Sequence, residues 1–193
     1  MLYCVIGASG TGKSTLVEEA MKRYKMERVI TCTTRERREG EPSDAYYFLS
    51  DDEFDRLENG GLVESDSYHG HRYGTAYFAV DRALDKGDAF IITTAKGYEN
   101  LRKMYECRGV VLEIPVSELR KRMEGRGDSE ENIESRLSGI EQEMEANRRI
   151  RCPHLNLSGN RERDLKLFLD ATLGPGRDTK PRKPAKWEIE RDL

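Results

Sequence analysis

The first 24 residues restrict this chain more than any other part of it. Leu2, Tyr3, Cys4, Val5 and Ile6 form a short apolar run stopped by Gly7, and residues 14–24 (STLVEEAMKRY) have helical character. Between them stands Gly7-Ala8-Ser9-Gly10-Thr11-Gly12-Lys13-Ser14, a complete G-x-x-x-x-G-K-[ST] motif in the strand–turn–helix context that it requires. Its glycines let the backbone turn its N–H groups inward around an anion, and the helix N-terminus adds favourable potential there. Lys13 is placed to reach the β- and γ-phosphates of a nucleoside triphosphate, and the Ser14 hydroxyl to ligate Mg²⁺. Gly7, Ala8, Ser9, Gly10, Thr11, Gly12, Lys13, Ser14 and Thr15 are therefore the expected contacts of Mg-ATP. GTPases, motors and kinases share this loop, so it names a ligand and leaves the reaction open.

Downstream, apolar runs alternate with helical stretches. Residues 29–30, 90–94, 110–114 and 155–157 read as further strands. Ser50-Asp51-Asp52-Glu53 is a capping box for a short helix stopped by Gly60-Gly61. Residues 62–75 hold aromatics and two glycines, which predicts strands joined by a turn. Helices are expected over 80–86, over 117–124 with Ser117 as cap after Pro115, over 130–150, and over 161–173 with Leu165, Phe168 and Leu169 on one face. Strands alternating with helices imply an α/β fold: a mostly parallel sheet with helices on both sides. At 193 residues the chain holds one such domain with a small insertion.

Charged and hydrophobic residues each make up 36% of the chain, and the mean hydropathy is −0.79. With the apolar residues in clean runs, that describes a folded protein with large solvated surfaces. Residues 174–193 combine Gly, Pro and charge around Trp187 and read as a flexible tail. A net charge of −3 gives no general attraction to nucleic acid. Cys4, Cys32, Cys107 and Cys152 form no C-x-x-C pair, so neither a zinc site nor a disulfide framework is expected. No leader pattern and no span-length apolar stretch is visible, which points to a cytoplasmic protein without a membrane partner, as monomer or homodimer. His69-Gly70-His71 lacks the companions of a metal site and suits a hairpin tip, and the acidic run 141–145 reads as one solvated helix face.

Any strong positive potential must then be local. Arg35, Arg37 and Arg38 fall within four residues, with hydroxyls just before them (Thr31, Thr33, Thr34) and Tyr46, Tyr47, Tyr68 and Tyr73 beyond. Arginine forks with tyrosine hydroxyls suit a dianionic phosphate, because charge-assisted bidentate bonds fix its orientation. A second basic group, Arg120, Lys121, Arg122 and Arg126 with Arg136 further on, has Gly125 and Gly127 around Arg126. Such a hinged segment suits a lid that closes over ATP and excludes water.

With these motifs in view the chain resembles the guanylate kinase family. The resemblance runs from the phosphate loop to about residue 150 and includes T-T-R-x-x-R-x-G-E (33–41), Tyr46-Tyr47-Phe48, Glu64, Tyr73-Gly74-Thr75 and R-x-x-G-R-G (122–127). It implies a P-loop core with a three-layer α/β/α arrangement (1–30, 86–121 and 146–173), a small mixed acceptor-binding insertion (31–85) and a helical lid (122–145) within one domain, 1–173. It also implies ATP-dependent phosphorylation of a small nucleotide substrate, GMP or dGMP, with Mg²⁺. Arg35, Arg38, Tyr46 and Tyr73 would hold the acceptor phosphate. Thr31, Glu64, Thr75 and Thr94 would stand at the base, and Arg122, Arg126 and Arg136 would join Lys13 and Arg35 in neutralising the transferring group.

The chain departs from the family where an aspartate-x-aspartate pair precedes a glycine, for here Ile92-Thr93-Thr94-Ala95-Lys96-Gly97 has no carboxylate. Thr31 and Thr75 stand in place of serines. Kinase chemistry on another monophosphate (a modified deoxynucleotide or a phosphosugar) and a guanylate-kinase-like binding module are the alternatives. The intact Gly12, Lys13 and Ser14 favour an enzyme over a module.

Overall fold

The structure, a computed structural model, describes residues 1–68, 70–125, 127 and 129–174, with the backbone alone for Tyr68, Ser135 and Arg136. Arg126, His69 and the tail after residue 174, with Trp187, lie outside the described residues. In chain order the elements are β1 (Leu2–Gly7), α1 (Lys13–Tyr24), β2 (Glu27–Arg28), β3 (Cys32–Thr33), β4 (Tyr47–Phe48), α2 (Asp51–Glu58), β5 (Leu62–Tyr68), β6 (His71–Ala76) and α3 (Tyr77–Lys86). Then follow β7 (Ala89–Ile92), α4 (Ala95–Leu101), β8 (Cys107–Glu113), α5 (Val116–Glu124), α6 (Glu130–Arg148), β9 (His154–Asn156) and α7 (Arg161–Leu173).

Five strands form one parallel sheet in the order β2-β7-β1-β8-β9. Alternation along β1 sends its side chains to opposite faces, as a pleated strand must. Tyr3 and Val5 pack with Phe90, Val17 and Ala20 of α1, and Leu165 and Phe168 of α7. Leu2, Cys4 and Ile6 pack on the other face with Ile91, Val80 of α3, and Tyr98 and Leu101 of α4. Both faces are covered by helices, which is why β1, β7 and the end of β8 read as unbroken apolar runs. This is the three-layer α/β arrangement of P-loop proteins, with the central strand β1 feeding the glycine-rich loop. The crevice beyond the carboxyl ends of such strands is where ligands bind.

A second sheet of four strands, β4-β3-β6-β5, is built from residues within 32–76. Its hairpin β5–β6 is antiparallel and carries one extra residue, Val63, between Leu62 and Glu64. Gly74 sits where this sheet meets α2: a Cβ there would stand 2.9 Å from Leu62 Cδ1, 3.1 Å from Glu64 O and 3.1 Å from Phe54 Cζ. Phe54 is fully buried and cannot retreat. Gly74→Ala is therefore expected to destabilise the fold by about 2 kcal/mol through overpacking, read as a lowered urea midpoint at unchanged slope.

Several boundaries differ from the sequence reading. The second strand is Glu27–Arg28, with Val29 N donating to Phe90 O (2.8 Å) as its continuation. The helix α3 starts at Tyr77 because Ala79, Val80 and Ala83 all face the core, so the apolar stripe begins a turn earlier. Pro115 flanks the start of α5, its carbonyl accepting from Glu118 N and Leu119 N, so Ser117 lies inside the helix. Strand β7 ends at Ile92, and Thr94 caps α4, a helix hidden in the sequence behind a run of β-branched residues.

Candidate active site

At the phosphate loop, Gly10 (φ 85°) and Gly12 (φ 93°) are left-handed, which a side chain would resist. Thr11 is buried, and its N–H and hydroxyl both donate to Ala8 O (3.3 and 2.9 Å), closing the turn. Gly12 then occupies the N-cap of α1 with no side chain covering the helix's first amides. Those donors face the loop's interior, where an anion can take them. Lys13 Nζ donates to Gly7 O (2.7 Å) and Ala8 O (2.8 Å), so the cation stands inside the loop it serves. Burial lowers its pKa from 10.5 to about 8, and the Glu143 carboxylate opposes that shift.

Glu143 reaches the loop from α6, where its Oε2 accepts from Ser9 N (3.2 Å). The sequence pattern alone puts this residue on a solvated acidic face. The available signal was its place between Ile140 and Met144 on the apolar stripe of Ile133, Leu137 and Ile140, which packs on Ala8 of the loop. Glu143→Gln keeps an acceptor for Ser9 N and removes the charge that favours the Lys13 ammonium. The alkaline limb of kcat/KM for ATP is expected to move to lower pH in this variant. An unmoved limb would show that Glu143 has no hold on Lys13.

Arg122 of α5 extends over the same loop, its Nη1 donating to Gly10 O (3.3 Å) and its Nε 3.7 Å from Glu118. Arg120 points elsewhere, pairing with Glu130 (2.7 Å) and Glu134 and so tying α5 to α6. Position 136 lies on α6, two turns before Glu143.

The second cationic group belongs to the small sheet. Arg35 is largely buried, its guanidinium 5.5 Å from the Tyr46 ring centroid and 5.7 Å from that of Phe48. Its Nη2 pairs with Glu41 Oε1 at 2.7 Å, and Glu41 Oε2 accepts from Arg38 N (3.0 Å). Glu41 holds the arginine pKa up, with a smaller contribution from Tyr73, and Arg35 in turn holds the Glu41 carboxyl below its usual range. Tyr73 meets Tyr46 edge to face at 6.1 Å. The structure thus brings Arg35, Tyr46 and Tyr73 together and leaves the Arg38 side chain exposed beside them. Thr31 is half-buried, its carbonyl accepting from Tyr47 N (2.9 Å) to pair β4 with the strand region before β3.

Further along β6, Thr75 is buried and donates to Glu64 Oε1 at 2.7 Å. The extra residue at Val63 aims Glu64 at Thr75 rather than past it, a common use of a bulge beside a site. Burial raises the Glu64 pKa, and the Thr75 hydrogen bond and Lys96 pull it back. Gly97 of α4 lies against this carboxylate: a Cβ there would be 3.2 Å from Glu64 Cδ. Thr94, at the start of the same helix, uses its Oγ1 to accept from Gly97 N (3.1 Å). Tyr73 beside Arg35 and Tyr46, and Thr75 beside Glu64, stand two residues apart on β6, so both groups lie along one face of that strand.

Among the described residues no helix is long and apolar enough to cross a membrane, and no cluster of three or more His, Cys, Asp or Glu could hold a metal ion. The family model described as guanylate kinase matches residues 1–149. The guanylate kinase of Fusobacterium nucleatum is 34% identical over 150 residues, covering 75% of this chain and 81% of that protein. That of Parasynechococcus marenigrum is 36% identical over 152 residues, covering 75% and 84%. A crystal structure of guanylate kinase from Anaplasma phagocytophilum superposes with a TM-score of 0.65 at 22% identity, covering 86% of this chain and 82% of that one, a likeness of fold. Because the family match covers residues 1–149, well over half of the sequence, the chain belongs to the guanylate kinase family.

Proposed function

We propose that this chain transfers the γ-phosphoryl group of ATP to the phosphate of GMP or dGMP. The observation that carries the reading is the pairing of two separate anion seats. One is the Lys13 loop. The other is the Arg35–Tyr46–Tyr73 cluster, which has a half-buried carboxylate, Glu64, further along the same strand pair. A guanine edge offers a ring N–H and an exocyclic amine, both donors, to a carboxylate acceptor. Residues 31–85 then act as the acceptor-binding part, 122–145 as the lid, and the remaining segments of 1–173 as the core.

In this reading Arg35 and Arg38 hold the acceptor phosphate with the Tyr46 and Tyr73 hydroxyls, and Thr31, Thr75 and Thr94 line the base end. An acceptor phosphate oxygen attacks the γ-phosphorus in line, and the bond to the β–γ bridging oxygen breaks, leaving ADP and GDP. No side chain acts as nucleophile. Lys13, Arg122 and the lid arginines at 126 and 136 neutralise charge on the transferring group, while closure excludes water. Ser14, exposed on the first turn of α1 beside Lys13, would hold through its hydroxyl a Mg²⁺ shared with the triphosphate. When bound, the ion neutralises the β- and γ-oxygens.

The test is an ADP-release assay with Mg-ATP and a panel of monophosphates, including modified deoxynucleotides and phosphosugars. GMP and dGMP are expected to give the highest kcat/KM. Turnover with a different acceptor only, or with none, overturns the assignment.

A further inference from the structure

Thr93 carries the one buried side-chain polar atom among the described residues without a hydrogen-bond partner, its Oγ1. Most buried hydroxyls are satisfied, and one that is not requires an explanation. Its location supplies one. Thr93 N donates to Val5 O (3.1 Å), so the residue extends β7 past Ile92 on the face of Ile91, toward the second sheet. A Cβ built on Gly97 would stand 2.1 Å from Thr93 Oγ1, 3.2 Å from Glu64 Cδ and 3.4 Å from Glu64 Oε2. The hydroxyl thus fills the space above the Gly97 α-carbon that a side chain there would take, with the Glu64 carboxylate beside it. Glu64 Oε1 is engaged by Thr75, whereas no hydrogen bond joins Oε2 to Thr93. Thr94 is the adjacent hydroxyl, but it is exposed and its oxygen caps α4.

We infer that Thr93 is a specificity-determining residue of the acceptor site, its hydroxyl oxygen accepting from the exocyclic amine of the base while Glu64 accepts the ring N–H. This rests on the proposed guanine acceptor and deepens it. A hydroxyl both donates and accepts, so once the base is seated Thr93 can give its proton to Glu64 Oε2 and take the amine hydrogen on its oxygen. The residue then separates guanine from hypoxanthine, which has the ring N–H and lacks the amine. A site that leaves a buried polar group unpaired with the wrong substrate discriminates more strongly than an apolar one.

Thr93→Val and Thr93→Ser are compared with wild type using GMP and inosine monophosphate, together with thermal unfolding of each apoprotein. Valine replaces the hydroxyl with a methyl of similar shape. It is expected to lower kcat/KM for GMP by about 10-fold, to leave that for inosine monophosphate within about 2-fold, and to raise Tm by about 2–4 °C, since it removes an unpaired buried hydroxyl. Serine is expected to retain the wild-type GMP preference. An unchanged GMP-to-inosine monophosphate ratio in Thr93→Val overturns the inference and leaves the GMP kinase reading standing. So does a lowered Tm, which would reveal a structural partner for the hydroxyl. Wild type that turns over neither nucleotide overturns both.

Discussion

Lys13→Met is expected to lower kcat/KM for phosphoryl transfer by about 10³-fold, with the fold intact. The ammonium stands inside the loop on the carbonyls of Gly7 and Ala8, which leaves one of its three donors for an anion in the same loop. Methionine keeps the stem and deletes the charge. The same variant has a stability signature that an indirect effect would not reproduce. Burial holds the folded-state pKa of Lys13 at about 8, below its ordinary 10.5. Between those values the unfolded chain binds more protons, so this group's contribution to stability rises with pH from about 8 to 10.5, and below pH 8 the buried charge costs stability. Lys13→Met should therefore unfold at a higher temperature than wild type at pH 7, and the gain should shrink toward pH 10.5. Wild-type turnover in the variant would remove Lys13 from the donor site, and a Tm difference that ignores pH would remove the buried charge.

Arg35→Ala is expected to raise the KM for GMP by about 100-fold while leaving the KM for ATP within about 3-fold, measured by initial rates with each substrate varied. The guanidinium side chain is only 10% exposed, and it is held by the Tyr46 and Phe48 rings and by Glu41. A fork immobilised in this way has little left to lose on binding a phosphate, which is why arginine outperforms lysine there. Arg35→Lys should fall between wild type and alanine, because it keeps the charge and loses the planar pair of donors. Equal increases for both substrates would contradict two separate anion seats.

These two residues are legible in the sequence because their signals are local. A strand, a glycine turn and a lysine at the head of a helix must be contiguous to work, whereas Arg35 shows itself through the run of arginines and hydroxyls around it, and Tyr73 joins it only across the small sheet. The same locality makes β1, the capping box of α2 and the apolar face of α7 readable. Elements without a local signature are misplaced or missed by pattern alone. Helix α4 hides behind Thr93 and Thr94, whose β-branching continues the strand pattern until Gly97 N bonds back to Thr94 Oγ1.

What no window of neighbouring residues contains is a contact made across the fold. Glu143 lies 134 residues from the Ser9 amide it accepts from, and its acidic neighbours disguise it as surface. The extra residue at Val63 is defined only by the partner strand, yet it decides that Glu64 faces Thr75. Thr93 becomes an unpaired buried hydroxyl only because Gly97 and Glu64 close over it from two other elements. Period and propensity act over one or two turns of chain, so they set the elements and the phosphate-binding motifs. Burial and pairing are properties of the assembled interior, and it was the packing of α4, α6 and the β5–β6 hairpin around the loop that chose which polar groups are used and which wait for a ligand.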